Sequence, residues 1–266
     1  LYALAVGATG EEPQYTYEKD MQVIPTFGVL PYWGAVNVTP QFPRPRAVPV
    51  LVEELLQPAQ SYVNLDYEFL YHRPIPAGKG SFVYRDVLTD LFDRGEGRGM
   101  AVRSQVEVFD EGGVLLCTNR CTTLFPTLGG YGGQPMDRRA SRIPDRAPDF
   151  VARDHIGVAQ HLLYRLTGDT NLVHVDRAVA ERRGLQGPFV HDLCAFGYAC
   201  RLAIGQCFPG QPERLRRMYG AMKTVLYPDT PVELHLWQTG PGQGAFRLVD
   251  AATGQAILDR GELDWI

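Results

Sequence analysis

The alternation of apolar and polar positions is clearest in "GMAVRSQVEVFD". There Val102, Val106 and Val108 fall on one face and Arg103, Gln105 and Glu107 on the other, with Ser104 breaking the apolar set. A period of two predicts a half-buried strand. Two further β-rich runs, "KGSFVYRDVLTDLFD" and "VLLCTNRCTTLF", flank it, and "DEGG" before the last is a hairpin signal. Upstream, "LYALAVGA" predicts a short helix ended by glycine. The apolar but Pro- and Gly-punctuated "VIPTFGVLPYWGAV" predicts a buried, interrupted helix. The same order recurs downstream. "VAQHLLYRLTGD" predicts a helix ended at Gly168, and "HDLCAFGYACRLAIGQC" a longer one with Leu193, Phe196, Ala199 and Cys200 on one stripe. Three β-rich runs follow: "RMYGAMKTVLY", "PVELHLWQT" and "GAFRLVDAATGQAILDRGELDWI", the last with an "ATG" turn. Helix followed by a meander, twice over, predicts an α+β protein of two like units. Each would wrap an antiparallel sheet around one apolar helix.

Between the repeats lies "PTLGGYGGQPMDRRASRIPDRAPD", rich in Gly, Pro and Arg and without apolar periodicity. It reads as an exposed linker, giving an N-terminal unit over 1–126, a linker over 127–149 and a C-terminal unit over 150–266. A chain of 266 residues, 45% hydrophobic and 21% charged, has the balance of a soluble protein with a substantial core. The net charge of −4 gives no electrostatic case for nucleic acid or an anionic membrane. No apolar run approaches the roughly 20 residues of a membrane span. Cys117, Cys121, Cys194, Cys200 and Cys207 are scattered through apolar segments, as expected of reduced thiols rather than a disulfide framework. Cys117 and Cys121 form a CxxxC with no second Cys/His pair. Residues four apart on a strand share a face, so structural thiols are expected and no metal.

The chemistry concentrates in "YRLTGDTNLVHVDRAVA". An aromatic, a Gly-Asp-x-Asn turn, an apolar residue, a His and, six positions on, a small residue stand in order as Tyr164, Gly168, Asp169, Asn171, Val173, His174 and Ala180. This stretch resembles the signature of the MaoC-like, type 2 enoyl-CoA hydratases, except that Leu172 stands where the family has Pro. The resemblance covers nearly the whole chain. "LYALAVGA", "PTFGV", "HRPIPAGKG", "LCTNR" and "GGYGG" are similar to the first half of the eukaryotic-type double hotdog hydratases. "GPFVHDLCAFGYACR" is similar to their hot-dog helix and "LYPDTPVELHLW" to a later strand. The resemblance implies a tandem hotdog fold whose first half helps to bind an acyl-CoA and whose second half carries catalysis.

The residue types suit that chemistry in their own right. Hydrating an α,β-unsaturated thioester requires proton transfers at adjacent carbons, which a carboxylate and an imidazole facing one water can divide. Asp169 and His174 are the expected pair, and Asn171 can hold the loop or the water through its amide. Gly168 is expected at the substrate. The enolate-like oxygen needs N–H donors, and the helix beginning near His191 can supply them. His191 and Cys194 are read as packing residues. The bland alternative for Asp169 and Asn171 is ordinary turn capping.

Departures from the family pattern cluster where the substrate is held. Asp192 replaces the Gly whose backbone N–H serves the oxyanion hole. The N–H survives, but an added carboxylate there is unfavourable unless it turns away or is protonated. Asp229 replaces a Gly before a strand, and Gln57 and Pro58 replace a His-Gly pair that contacts the cofactor portion. Arg94 matches a basic position suited to CoA phosphates, and Met222 falls where an aromatic commonly packs against the ligand. The leading expectation is a hydro-lyase on a 2-enoyl or (R)-3-hydroxyacyl thioester. CoA would be the substrate's carrier, and no cofactor is required. The alternative is a diverged dehydratase, cyclase or isomerase of polyketide-like metabolism on a bulky substrate, with or without CoA. A non-enzymatic scaffold is disfavoured by the intact Asp169, Asn171 and His174. The expected partner is a small molecule, with neither nucleic acid nor membrane, and a homodimer is compatible with the fold. The "LDWI" end carries no peroxisomal address, so a cytoplasmic setting is expected, with a peroxisomal one open if the chain belongs to a larger one.

Overall fold

The computed structural model describes residues 1–30, 62–137 and 139–266. Gln57, Pro58 and the part of the expected interrupted helix beyond Leu30 lie outside the described residues. The first unit contributes β1 (Val63–Tyr71), β2 (Val83–Asp93), β3 (Met100–Phe109) and β4 (Leu115–Phe125). The second contributes β5 (Phe150–Ile156), β6 (Leu215–Met222), β7 (Thr230–Gly240), β8 (Gln243–Asp250) and β9 (Ala256–Trp265). They form one nine-stranded sheet in the order β2-β3-β4-β1-β6-β9-β8-β7-β5. Its seam is the antiparallel pairing of β1 with β6, from Asp66 opposite Ala221 to Leu70 opposite Arg217. Among the described residues the α-helices are α1 (Tyr2–Ala5), α2 (Pro13–Thr16), α3 (Gln160–Arg165), α4 (Arg177–Arg182) and α5 (Asp192–Cys207). None is long and apolar enough to cross a membrane.

The strand runs and the "DEGG" and "ATG" turns fall where the alternation places them; Gly113, at φ 79°, closes the first turn. Two strands escaped the pattern. β1 directs Tyr67, Phe69 and Tyr71 inward, but its start is bulged between Asn64 and Asp66, which breaks the period. β5 is an edge strand with Phe150 and Val151 exposed, so it lacks an apolar face of strand length.

The long helix corrects a second expectation. Instead of one apolar stripe, every residue of α5 from Leu193 to Ile204 is buried. The sheet covers one side, with the Phe196 ring 6.2 Å from Tyr67 of β1. The N-terminal segment covers the other: a side chain at Gly197 would collide with Val6 and Tyr2, so glycine is what lets α1 approach. Arg201, buried among these apolar residues, donates to the Val6 carbonyl and pairs with Glu12 and Asp154.

The face of the sheet turned away from α5 is polar. Gln105, Arg120, Glu68, Tyr219 and Glu262 stand side by side across five strands. Arg120 bonds Gln105 and Glu68, while Arg217 bonds Glu68, Glu262 and Asp264. The segment between the units is strapped to this face. Arg139 pairs with Glu262 at 2.9 Å and lies over the Tyr219 ring at 3.9 Å. Asp93 accepts the N–H groups of Gly95, Gly130, Gly132 and Gly133, and these bonds pull its carboxyl down to about 2.

Cys117 and Cys121 share the inner face. Cys117 donates to the Gly28 carbonyl and Cys121 to Asn64 Oδ1, each at 3.5 Å. Burial pushes both thiols up to about 12.

Candidate active site

After α3 the chain passes Gly168, at φ 134°, a conformation open to glycine and to few other residues. The turn that follows is held from within. Asp169 Oδ1 accepts the Asn171 N–H at 3.2 Å, and Asn171 Oδ1 accepts the Val173 N–H at 3.3 Å, capping the tight turn Leu172–His174. Asn171 therefore spends its side-chain oxygen on the loop. Leu172 is the first residue of that turn, the place where proline's fixed φ and missing N–H cost nothing. Leucine there leaves the turn freer, with its side chain 55% exposed.

His174 Nδ1 donates to the Phe189 carbonyl at 2.9 Å, so in the neutral ring Nε2 keeps its lone pair. His191, the N-cap of α5, donates from Nε2 to the Asp169 carbonyl at 3.2 Å, with Asp169 Oδ2 at 4.0 Å. Its ring stacks on His174 at 3.6 Å and 22°. Tyr164 also packs against His191, at 4.9 Å. Reading His191 as a packing residue thus missed its contact with the pair; the available signal was a His directly before the first turn of the apolar helix. Cys194 does pack, donating to the Ala5 carbonyl at 3.2 Å.

Burial sets the electrostatics. It raises the Asp169 carboxyl above its ordinary range against the pull of His174. It pushes His174 down to about 4, with His191 adding to the fall, and His191 down to about 4 despite its bond to the Asp169 carbonyl. Near neutral pH both imidazoles are uncharged, and Asp169 holds its proton more tightly than in water. This carboxyl–imidazole pair can accept and return a proton.

Asp169, His174 and His191 bring one potential ligand atom each within 4.8 Å, close enough for a metal ion on distance alone. The near-parallel stacking directs the in-plane lone pairs of the two rings alongside each other rather than toward one point, which does not favour coordination.

The first turn of α5 closes the site. The N–H groups of Cys194 and Ala195 bond the His191 carbonyl, leaving those of Asp192 and Leu193 without a helical partner at the positive end of the helix. The Asp192 carboxyl is bonded by Asn64 of β1, and burial, with Asp169 nearby, pushes it up to about 6. Asn64 also accepts from the Thr123 hydroxyl at 3.2 Å. The site therefore sits at the seam of the two units, and Asn64 was not foreseen from sequence. An acid raised to about 6 is neutral below that pH and a carboxylate above it. Asp192→Gly should therefore speed turnover above about pH 6, by roughly tenfold or ~1.4 kcal/mol, and change little at pH 5. The ratio of kcat values across pH checks this. Asp229 adopts φ 62°, the left-handed conformation that suits the Gly of the family pattern.

Arg94 and Met222 are not beside the pair. They line a groove of about 1020 Å³ on the polar face of the sheet, with Arg98, Arg103, Lys223 and Asp66. Arg103, Thr122, Asp66 and Ala221 lie in one lateral row, and Asn64 is two residues from Asp66. The groove ends on the outer face at Leu65 and Asp66, while Asn64, across the bulge of β1, meets Asp192 on the inner face.

Comparison with known proteins agrees with this architecture. Residues 1–126 match the MFE-2 hydratase 2 N-terminal domain and residues 139–258 the MaoC like domain. The chain is 30% identical to 3-hydroxyacyl-thioester dehydratase Y of Mycobacterium tuberculosis, covering 100% of this chain and 91% of that protein. It is 29% identical to the peroxisomal enoyl-CoA hydratase 2 of Arabidopsis thaliana, over 90% of this chain and 80% of that one. The crystal structure of a MaoC-like dehydratase from Phytophthora capsici superposes with a TM-score of 0.85 at 26% identity, over 100% of this chain and 90% of that one. The two wrapped units joined at β1 and β6 are a double hotdog, and the chain belongs to the MaoC-like, type 2 enoyl-CoA hydratase family.

Proposed function

We propose that this chain is a hydro-lyase that adds water reversibly to a 2-enoyl thioester of the CoA type, giving the (R)-3-hydroxyacyl thioester. What carries the reading is the placement of Asp169 and His174, a half-buried carboxyl and a buried imidazole with shifted proton affinities, near the N–H groups of Asp192 and Leu193, which have no helical partner. The thioester carbonyl lies against those N–H groups, which stabilise negative charge as it develops. Water, held by the pair, loses a proton while its oxygen bonds C3. The π electrons move to C2, which takes a proton, and the thioester oxygen carries the transient charge. The proton leaving water balances the one reaching C2, so the pair ends as it began and no redox group is needed.

The relatives from Mycobacterium tuberculosis and Arabidopsis thaliana are named for this chemistry, which supports the reading. The groove supports CoA as the carrier. Among the described residues no carboxylate pairs with Arg94, Arg98 or Lys223, so these cations are free for phosphates. The test is hydration of crotonyl-CoA and longer 2-enoyl-CoAs, followed by loss of the enoyl thioester absorbance. Arg94→Glu is expected to raise KM severalfold with kcat retained; no hydration by the parent protein at any chain length would discard the reading. A second reading, a diverged dehydratase or isomerase on a bulky substrate without CoA, rests on the carboxyl of Asp192 at the oxyanion end. It requires that Arg94→Glu leave KM unchanged.

A further inference from the structure

Both ends of the turn Gly168–His174 are held by one short segment, Phe189 to His191. The Phe189 carbonyl takes the Nδ1–H of His174, and His191 Nε2–H takes the carbonyl of Asp169. The bonds of Asp169 Oδ1 and Asn171 Oδ1 are internal to the turn and cannot orient it relative to α5. The His174 ring also packs against two rings, Phe189 at 4.4 Å and His191 at 3.6 Å. His191 itself is 2% exposed, and its buried Nδ1 has no hydrogen-bond partner among the described residues. An apolar residue would fill the same space without an orphaned nitrogen, so packing alone does not account for a histidine here.

We propose that His191 is a positioning residue for the proposed acid/base pair: its ring fixes the plane of His174 while its Nε2–H fixes the backbone of Asp169. One side chain thereby sets the separation of the two groups. This rests on the hydratase reading above and goes beyond it, since neither the pair nor the oxyanion donors require a second imidazole. A pair held loosely by about 1 Å loses up to ~10²-fold in rate. The groups facing the two rings are Asp169, Tyr164, His161 and Arg165 around His191, and Asp169, Phe189 and Arg183 around His174. Removing His191 takes away the neighbour that helps hold His174 uncharged, so the acid limb of the rate profile moves to higher pH.

Three variants separate the two contacts. His191→Gln retains an N–H for the Asp169 carbonyl without the stack, His191→Phe retains the stack without the N–H, and His191→Ala loses both. On the 2-enoyl-CoA that the parent turns over best, His191→Ala is expected to lower kcat by about 10- to 100-fold with KM within about twofold. The Gln and Phe variants should each recover part of the loss, and the acid limb should rise in all three. Unchanged kcat with an unchanged acid limb, or a rise in KM with kcat intact, overturns the proposal. The Nδ1–H resonance of His174 in the free protein provides a readout that needs no substrate. It should shift or broaden in His191→Ala and stay near its parent position in His191→Phe; an unmoved resonance in His191→Ala also overturns the proposal. A parent protein without hydratase activity defeats the functional reading, whereas the resonance still decides the positioning role.

Discussion

Asp169→Asn is expected to lower kcat for 2-enoyl-CoA hydration by about 10³-fold or more and to leave thermal stability close to the parent's. The amide keeps the size of the carboxyl and can still accept the Asn171 N–H, so the turn keeps its shape. In the proposed mechanism it loses the capacity to take a proton from water and return one to C2, a contribution of ~10²–10⁴-fold for a positioned acid or base. His174→Ala belongs with it, because two groups acting as a unit do not lose rate additively: the double variant should be little worse than either single one. Steady-state kinetics of the two single variants and the double variant check this. Equal kcat in Asp169→Asn and the parent would remove Asp169 from the chemistry.

Arg201→Met has the largest expected effect on stability. The guanidinium joins the N-terminal segment through Val6 and Glu12, strand β5 through Asp154, and α5 on which it sits. Methionine fills the apolar part of the space and leaves Glu12 and Asp154 facing each other without a cation. Breaking a buried pair costs about 3–5 kcal/mol. Because the carboxylates keep 24% and 23% exposure, the lower end is expected. For a chain of this size ~3 kcal/mol corresponds to roughly 6–12 °C in Tm. Adding Asp154→Asn should restore part of it by relieving the unpaired charge. A scan of thermal unfolding measures both, and a change below about 2 °C would mean that the N-terminal segment is held by apolar contacts alone.

Much of the fold was legible because period-two runs and turn residues are local signals. β3 shows this well, its Val106 and Val108 facing the core while Arg103 and Glu107 turn to the polar face. β1 was hidden by its bulge at Leu65, and β5 by its place at the edge, where no face need be apolar. The all-round burial of α5 could not be read from one stripe, since it depends on α1 arriving over Gly197 from nearly two hundred residues away. At the site, Asp169, Asn171 and His174 were legible because one turn carries all three. His191 was not, because it reaches the pair only when α5 packs against the turn within its own unit, and Asn64 was not, because it reaches the helix end only when β1 of the other unit meets α5. The groove that holds Arg94 and Met222 likewise exists only across the seam.

The most direct test of acid/base hydration at this site is the reaction of crotonyl-CoA in D₂O, with the product analysed by mass spectrometry and proton NMR. Hydration through Asp169 and His174 gives 3-hydroxybutyryl-CoA with one deuterium at C2 and the thioester intact, and Asp169→Asn forms it about 10³-fold more slowly. Unchanged crotonyl-CoA, or free CoA thiol released without a hydroxyl at C3, would contradict it.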